Sequence, residues 1–479
     1  MKRYPMFIGG KWVDARSGEY FDDINPYTGE VYAHVAKGDE RDADSAMAAA
    51  YEARKAWSST PPAQRAAVLS RAAAILEAER REFAEVLTSE GGGTSNKVLF
   101  EISQTMDLLH TAAADCKAIL GSTYQTDPEK LSITVRSPKG TVVAISPWNF
   151  PLILSMYKVA YALGTGNTVV LKPSSETPVI GLKIGELFQK AGLTPGALNV
   201  VTGPGRQLGD ALIADERCSL VTLTGSTETG RHVAKKAAER MKETVLELGG
   251  KNPLIILSDA DLDLAVSTAA FGTFLHQGQI CMSVGRIIIE AKAAQAFAEK
   301  LAKKAARLAK GDPALPQTVV GPLINDEQVR KVDQLVRDAV DKGAELLHGG
   351  RFEGRVYDPT VLLGINPGMR IYHEEAFGPV ASIIPVQDEI EALRVANDNE
   401  YGLSAAVLTR DIHKALHLAE GLEAGMVHVN DSTIHAEACC PFGGFKGSGH
   451  GREGGRFSIE AYTDLKWLTI QKGVKQYPF

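Results

Sequence analysis

Cys281, Glu247 and Asn149 are the side chains whose types and surroundings suit covalent catalysis with an oxyanion to stabilise. Cys281 lies in HQGQICMS, flanked by small and polar residues rather than by a uniform apolar run. A thiolate there is a nucleophile that splits one hard step into two easier ones. The competing reading is a small buried hydrophobe, the usual fate of an isolated cysteine. Glu247, in ETVLELGG, reads as a general base or as the solvated charge at a strand end. Asn149, in PWNFP, has an amide that can donate to an oxyanion, or cap a helix starting at Pro151.

Anion-binding turns are the second signal. Gly225-Ser226-Thr227 follows the run VTLT and precedes a helical stretch. Such a turn aims backbone N–H groups at an anion, helped by the helix dipole, or is an ordinary strand-to-helix turn. Gly203-Pro-Gly205 has the same context without the dinucleotide-fingerprint spacing. Gly449-His-Gly451-Arg-Glu-Gly454 matches G-x-G-x-x-G but follows the turn PFGGFKGS, so it is rejected as a fingerprint. Lys172 ends the run NTVVL at the sheet edge where ligands bind, as a clamp or as a surface charge.

The elements that must position these groups alternate. GTVVAISPW, NTVVLKPS, ALNVVTGPG, SLVTLTGS and ETVLELGG read as strands, with helical stretches at 151–164, 177–191, 205–214 and 227–240 between them. Strands alternating with helices predict a parallel sheet covered on both faces. Residues 1–35 read as short extended pieces and turns, 42–90 as two or three helices, and 97–120 as another. A second α/β series has helices at 261–276, 292–309 and 326–342 and strands near 285–290, 380–385, 404–409 and 427–430. The tail AYTDLKWLTIQK alternates and reads as an edge strand able to pair across a subunit boundary.

Composition excludes several classes. The chain has 479 residues, 44% hydrophobic and 23% charged, which predicts a soluble protein of more than one domain. A net charge of −6 predicts no nucleic-acid partner. The most apolar stretch, 141–171, is broken by Pro147, Pro151 and Lys158, so no membrane span is expected. The N-terminus lacks a secretory h-region, and a cytoplasmic location is expected. Cys116, Cys218, Cys281, Cys439 and Cys440 are odd in number and form no C-x-x-C, so neither disulfides nor a metal site are expected.

PWNFP, LKPS, the Thr-Gly-Ser turn, ELGGKNP, GQICMS, EEAFGPV and PFGGFKGSG occur in that order. This pattern resembles the aldehyde dehydrogenase superfamily from about Ile8 to the C-terminus, with no long insertion. The resemblance implies an α/β fold: a Rossmann-like cofactor domain (1–118 and 139–250), an α/β catalytic domain (251–449) and a small β oligomerisation arm (119–138 and 458–479). It implies a cytoplasmic homodimer or homotetramer acting on a small-molecule aldehyde. Cys281 becomes the nucleophile, attacking the aldehyde carbon and leaving a thioester after hydride loss. The Asn149 side chain and the Cys281 backbone N–H hold the oxyanion. Glu247 becomes the general base, which favours release of a free acid, and Lys158 supports the proton path and the oxyanion region.

The same resemblance assigns NAD or NADP to Lys172 and Glu375 at the riboses and Phe377 at the nicotinamide. Gly225 and Ser226 face the pyrophosphate, and Trp148 and Gly205 line the adenine side. One departure matters: relatives that prefer NAD carry Glu three residues after the strand lysine, where this chain has Ser175. Serine does not repel a 2′-phosphate, so NADP is expected to be accepted. By resemblance Phe150, Leu154, Tyr157, Ile280, Met282 and Phe442 line the aldehyde tunnel. Their apolar character favours an aromatic aldehyde, and GQICMS is similar to benzaldehyde, salicylaldehyde and vanillin dehydrogenases. Succinate-semialdehyde enzymes place Arg where this chain has Tyr157, which leaves an aliphatic semialdehyde as the runner-up. A non-redox cysteine esterase using Cys281 and Glu247 is a further alternative. Cys439 and Cys440 fall near the tunnel mouth with no role assigned.

Overall fold

The computed structural model describes residues 2–479. Two large sheets form its framework. The first has five inner parallel strands: Glu243–Glu247, Cys218–Thr224, Thr141–Ile145, Thr168–Lys172 and Leu198–Val200. Their β-branched residues are buried, as expected where helices cover both faces of a parallel sheet. Met6–Ile8 extends one edge antiparallel to Leu198–Val200, and Lys11–Val13 pairs antiparallel with Met6–Ile8 in turn.

The other edge is closed by Gly449–His450, which pairs antiparallel with Leu246 and Glu247. The first two residues of the rejected glycine motif thus form a short edge strand beside Glu247. The chain crosses back to the first sheet at 449.

The second sheet runs Glu345–His348, Thr360–Leu363, Val380–Val386, Val284–Glu290, Asn252–Ile256, Ser404–Leu408 and Met426–Val429, parallel except for its first strand. The tail strand Thr463–Gln471 pairs along its whole length with Lys130–Pro138 of the same chain, and Thr123–Tyr124 completes a three-stranded sheet.

Residues 42–90 form three helices, Glu40–Ser59, Pro62–Ala78 and Arg80–Ser89, and Ser95–Asp115 follows. The helix Pro151–Gly164 is buried throughout and packs between the first sheet and Ser95–Asp115. Proline at its first position supplies a preset φ and needs no N–H partner. Its next two N–H groups, of Leu152 and Ile153, donate to Glu101 Oε1 at 2.8 and 3.2 Å. Glu101 is therefore the cap, and Asn149 is free for other work. No helix among the described residues is long and apolar enough to cross a membrane.

Candidate active site

Cys281 lies between the helix Leu262–Phe274 and the strand Val284–Glu290, and the connection that delivers it is strained. His276 and Gln277 take left-handed φ angles of 47° and 56°, each costing about 1–3 kcal/mol. Side chains hold the turn in place. Gln277 Nε2 donates to the Pro322 carbonyl at 2.9 Å, and Gln279 Oε1 accepts from Ile324 N–H at 3.0 Å. At Gly278 a Cβ would lie 2.2 Å from the Gly378 carbonyl oxygen, so only glycine fits. Asn252 Nδ2 then donates to the Cys281 carbonyl at 2.8 Å and ties the nucleophile loop to the second sheet.

Asn149 follows the strand Thr141–Ile145, and its Nδ2 donates one hydrogen to the Gln279 carbonyl at 3.0 Å. Two cavities meet at these residues, and Asn149 and Cys281 line both.

The first cavity, about 680 Å³, lies along the ends of the first-sheet strands. Trp148, Gly225, Ser226, Glu375 and Phe377 line it; Trp148, which the resemblance places on the adenine side with Gly205, lies instead beside Phe377 at the Cys281 end. Ser226 Oγ accepts from Thr229 N–H at 3.2 Å and caps the helix Thr227–Ala238. Trp148 and Phe377 meet edge to face with centroids 5.4 Å apart. Glu375 accepts from Gly250 N–H at 3.1 Å, and a Cβ on Gly249 would lie 2.7 Å from its other oxygen. Sequence reasoning missed Thr224, Leu248, Gly249, Gln328 and Lys331 in this wall. Gln328 Nε2 donates to the carbonyl of Phe377 at 2.9 Å and steadies its left-handed φ of 51°.

Lys172, Ser175 and Gly205 lie outside that lining. Lys172 is buried at the end of its strand, and burial alone lowers its amine to about 8. The neighbouring carboxylate, Glu176, turns instead toward Asn325 Nδ2 at 3.4 Å. Ser175 lies in the turn before the helix Pro178–Lys190. Gly205, at φ 93°, opens the helix Arg206–Ala214, whose Gly209 approaches the Lys172 stem.

The second cavity, about 540 Å³, holds all six predicted tunnel residues: Phe150, Leu154, Tyr157, Ile280, Met282 and Phe442. The Tyr157 and Phe442 rings stack at 6.1 Å. Phe100 and Gln104 join from the helix Ser95–Asp115, with Ile153, Ile434 and Ala436. Phe100, Gln104, Ile434 and Ala436 were missed because the Ser95–Asp115 helix face and the loop reach the site only through tertiary packing, whereas Ile153 adjoins the predicted Leu154.

Glu247 and Lys158 line neither cavity. Both are buried behind Cys281. Neither Glu247 oxygen has a hydrogen-bond partner among the described residues, and a Cβ on Gly443 would lie 2.7 Å from one of them. Lys158 Nζ pairs with Glu453 Oε1 at 2.8 Å, which also accepts from Thr222 Oγ1 at 3.2 Å. Burial first, and then the Glu453 charge, push the Glu247 carboxyl well above the usual range; Lys158 and Arg452 pull the other way. Glu453 escaped sequence reasoning because it sits inside the rejected glycine motif. Burial, then Glu375 and Glu247, push the Cys281 thiol up to about 12, with the Met282 N–H opposing. The thiol is therefore protonated at neutral pH and needs a base beside it.

A strained, side-chain-pinned cysteine at the junction of two cavities, on two sheets of this topology, defines the class. The aldehyde dehydrogenase family profile matches residues 12–468, and the chain belongs to that family. It is 43% identical to a vanillin dehydrogenase of Pseudomonas fluorescens, over 99% of each chain. It is 40% identical to a benzaldehyde dehydrogenase [NAD(+)] of Pseudomonas putida, over 100% of this chain and 99% of that one. The crystal structure of a salicylaldehyde dehydrogenase from Pseudomonas putida G7 complexed with salicylaldehyde matches with a TM-score of 0.98 at 39% identity, covering 100% of both chains. The activity of this chain is NAD(P)-dependent oxidation of an aldehyde.

Proposed function

We propose that the chain oxidises an aromatic aldehyde of the benzaldehyde or vanillin kind to its carboxylic acid. The observation that carries this is the 540 Å³ cavity ending on Cys281, walled by Phe100, Phe150, Tyr157, Phe442 and aliphatic side chains. Among its lining residues there is no Lys or Arg to meet the carboxylate of succinate semialdehyde. The names of the three relatives above point to the same substrate class.

In the proposed mechanism Cys281 Sγ attacks the aldehyde carbon and loses its proton to Glu247. A carboxylate whose affinity for protons is raised is a better base near neutral pH. Its oxygens are not tethered by hydrogen bonds, so it can turn out of the niche beside Gly443. The second hydrogen of Asn149 Nδ2 and the Cys281 backbone N–H hold the oxyanion. Trp148 and Phe377 would hold a nicotinamide beside them, the acceptor for the hydride lost as the thioester forms on Cys281. Glu247 first passes the Cys281 proton on toward the Lys158–Glu453 pair. As a carboxylate again, it takes a proton from the water that hydrolyses this thioester, then returns it to the departing Cys281 thiolate.

The 680 Å³ cavity fits the coenzyme. Thr224, Gly225 and Ser226 bring a helix N-terminus to a pyrophosphate, Trp148 and Phe377 present rings beside Cys281, and Glu375 offers a carboxylate to ribose hydroxyls. Lys172, Ser175 and Gly205 hold the adenosine end. Lys172 has lost solvation without gaining a carboxylate partner, so the 2′-phosphate of NADP supplies its missing counter-charge. NADP is therefore accepted alongside NAD.

Residues 1–118 with 139–250 form the cofactor domain, 251–449 the catalytic domain, and 119–138 with 458–479 the oligomerisation arm. The arm exposes Leu465, Trp467 and Ile470, an apolar edge that suits a homodimer or homotetramer. Light scattering distinguishes the two, and a monomer would sink both. The reactive thiol suits the reducing cytoplasm.

Initial rates over an aldehyde panel, with NAD and with NADP, test the reading. Benzaldehydes should give the highest kcat/KM; a clear preference for succinate semialdehyde overturns the aromatic assignment. An NADP kcat/KM about a thousandfold below that with NAD, some 4 kcal/mol, overturns the cofactor assignment.

A further inference from the structure

The loop 431–442 has two characters. Its flanks belong to the apolar cavity, through Ile434 and Ala436 on one side and Phe442 on the other. Its middle turns outward and presents Glu437, Cys439 and Cys440 to solvent. The two thiols and a Glu437 oxygen all lie within 4.8 Å of one another. We propose that Glu437, Cys439 and Cys440 form a binding site for a thiophilic divalent cation of the Zn²⁺ kind, at the mouth of the aldehyde cavity.

The donor set selects the ion. Two thiolates and a carboxylate suit zinc and offer too few oxygen donors to hold hard ions such as Mg²⁺ and Ca²⁺. Zinc–sulfur bonds of about 2.3 Å put tetrahedral donors roughly 3.8 Å apart, so these three need close only slightly around an ion. Three protein ligands leave the fourth position to water. No C-x-x-C announces the site, because the cysteines are adjacent and the third donor precedes them.

The loop is built before any ion arrives. Cys440 N–H donates to the Glu437 carbonyl at 3.0 Å and closes the turn that brings their side chains together. Gly455 N–H donates to the Ala438 carbonyl at 3.0 Å. Gly454 and Gly455 press so tightly on this turn that a Cβ would lie 2.2 Å from the Cys440 carbonyl and 2.4 Å from that of Cys439. His435 Nε2 lies 3.2 Å from Glu437 Oε1, an imidazole placed to orient the ligating carboxylate. Binding releases the thiol protons, so affinity rises with pH. A cation on this turn ties together the two stretches that frame the cavity mouth and raises the aldehyde KM.

Only the consequence for aldehyde entry rests on the functional reading above; binding is measured without it. Co²⁺ is titrated into the Cys281→Ala protein, which removes the competing active-site thiol. A thiolate-to-cobalt charge-transfer band that Zn²⁺ abolishes is expected. Cys439→Ser/Cys440→Ser in the same background should lose the band, and His435→Ala should weaken binding roughly 10- to 100-fold, the usual cost of an outer-shell partner. No band in Cys281→Ala, or a band that survives Cys439→Ser/Cys440→Ser, overturns the site. With Cys281 intact, the double serine variant should keep the metal-free rate, while Zn²⁺ raises the aldehyde KM of the parent protein alone. Equal inhibition of both proteins overturns the link to the cavity mouth. An inactive metal-free parent would instead count against the aldehyde reading and leave the cobalt result standing.

Discussion

The two cavities that meet at Cys281 are made of different material. The cofactor side is largely turn backbone at strand ends: Thr224-Gly225-Ser226, Leu248-Gly249 and the segment around Asn149. The aldehyde side is side chains from the helices Ser95–Asp115 and Pro151–Gly164, the nucleophile loop and the loop 431–442. A wall of backbone is set by the sheet and its turns, whereas a wall of side chains is set residue by residue. Substitutions should therefore separate. Changes at the shared wall strike the chemical step, those on the cofactor side strike coenzyme choice, and those on the aldehyde side strike substrate choice.

Asn149, common to both walls, should show the largest effect. Asn149→Ala is expected to lower kcat about 10²- to 10³-fold, the cost of one oxyanion donor, with both KM values little changed. A raised coenzyme KM at unchanged kcat would make Asn149 a wall rather than a donor. On the cofactor side, Ser175→Glu puts a carboxylate near Lys172. NADP kcat/KM should fall roughly 10- to 100-fold, a like-charge cost of a few kcal/mol, while NAD is retained. Unchanged use of NADP would mean that this end of the cleft does not read the 2′-phosphate.

The same contrast explains what could be read from the sequence. The five inner strands of the first sheet, the second-sheet strands Val284–Glu290, Val380–Val386, Ser404–Leu408 and Met426–Val429, and the Gly225-Ser226 turn are local patterns and stand where expected, whereas the second-sheet strands Asn252–Ile256 and Thr360–Leu363 were missed. Cys281 and Asn149 were marked by their neighbours in the chain. Phe100, Gln104, Ile434 and Ala436 were not, because each becomes part of a wall only when distant segments pack. Glu453 was hidden for a further reason: its partner Lys158 lies 295 residues away, and nothing local distinguishes it from a surface carboxylate. The strained turn at His276 and Gln277 has no signature either, since a left-handed φ is uncommon at any residue other than glycine and nothing in the chain nearby marks it.

On the aldehyde side the effect should be smaller and selective. Phe442→Leu removes the ring stacked on Tyr157. It should cut kcat/KM for benzaldehyde about tenfold, within the range of one hydrophobic pocket contact. Both coenzyme KM values should stay in place; if they move as well, the two sides are coupled and the contrast fails.

The smallest effect on rate is expected behind the junction, where neither cavity reaches. Glu453 raises the proton affinity of Glu247, and Lys158 lowers it. Glu453→Gln removes the negative charge and leaves Lys158 unpaired, and both changes favour the Glu247 carboxylate. In its proposed role as base Glu247 works in its charged form, so the acid limb of the kcat/KM profile should move to lower pH, with the plateau little altered. Loss of one partner from a buried ion pair should also destabilise the fold, by about 3–5 kcal/mol, visible as a lower Tm. Adding Lys158→Met should bring the limb part of the way back, because the opposing charge is then gone too. A merely structural pair would lower the rate at every pH and leave the limb in place, and that outcome would remove Glu453 from the control of the base.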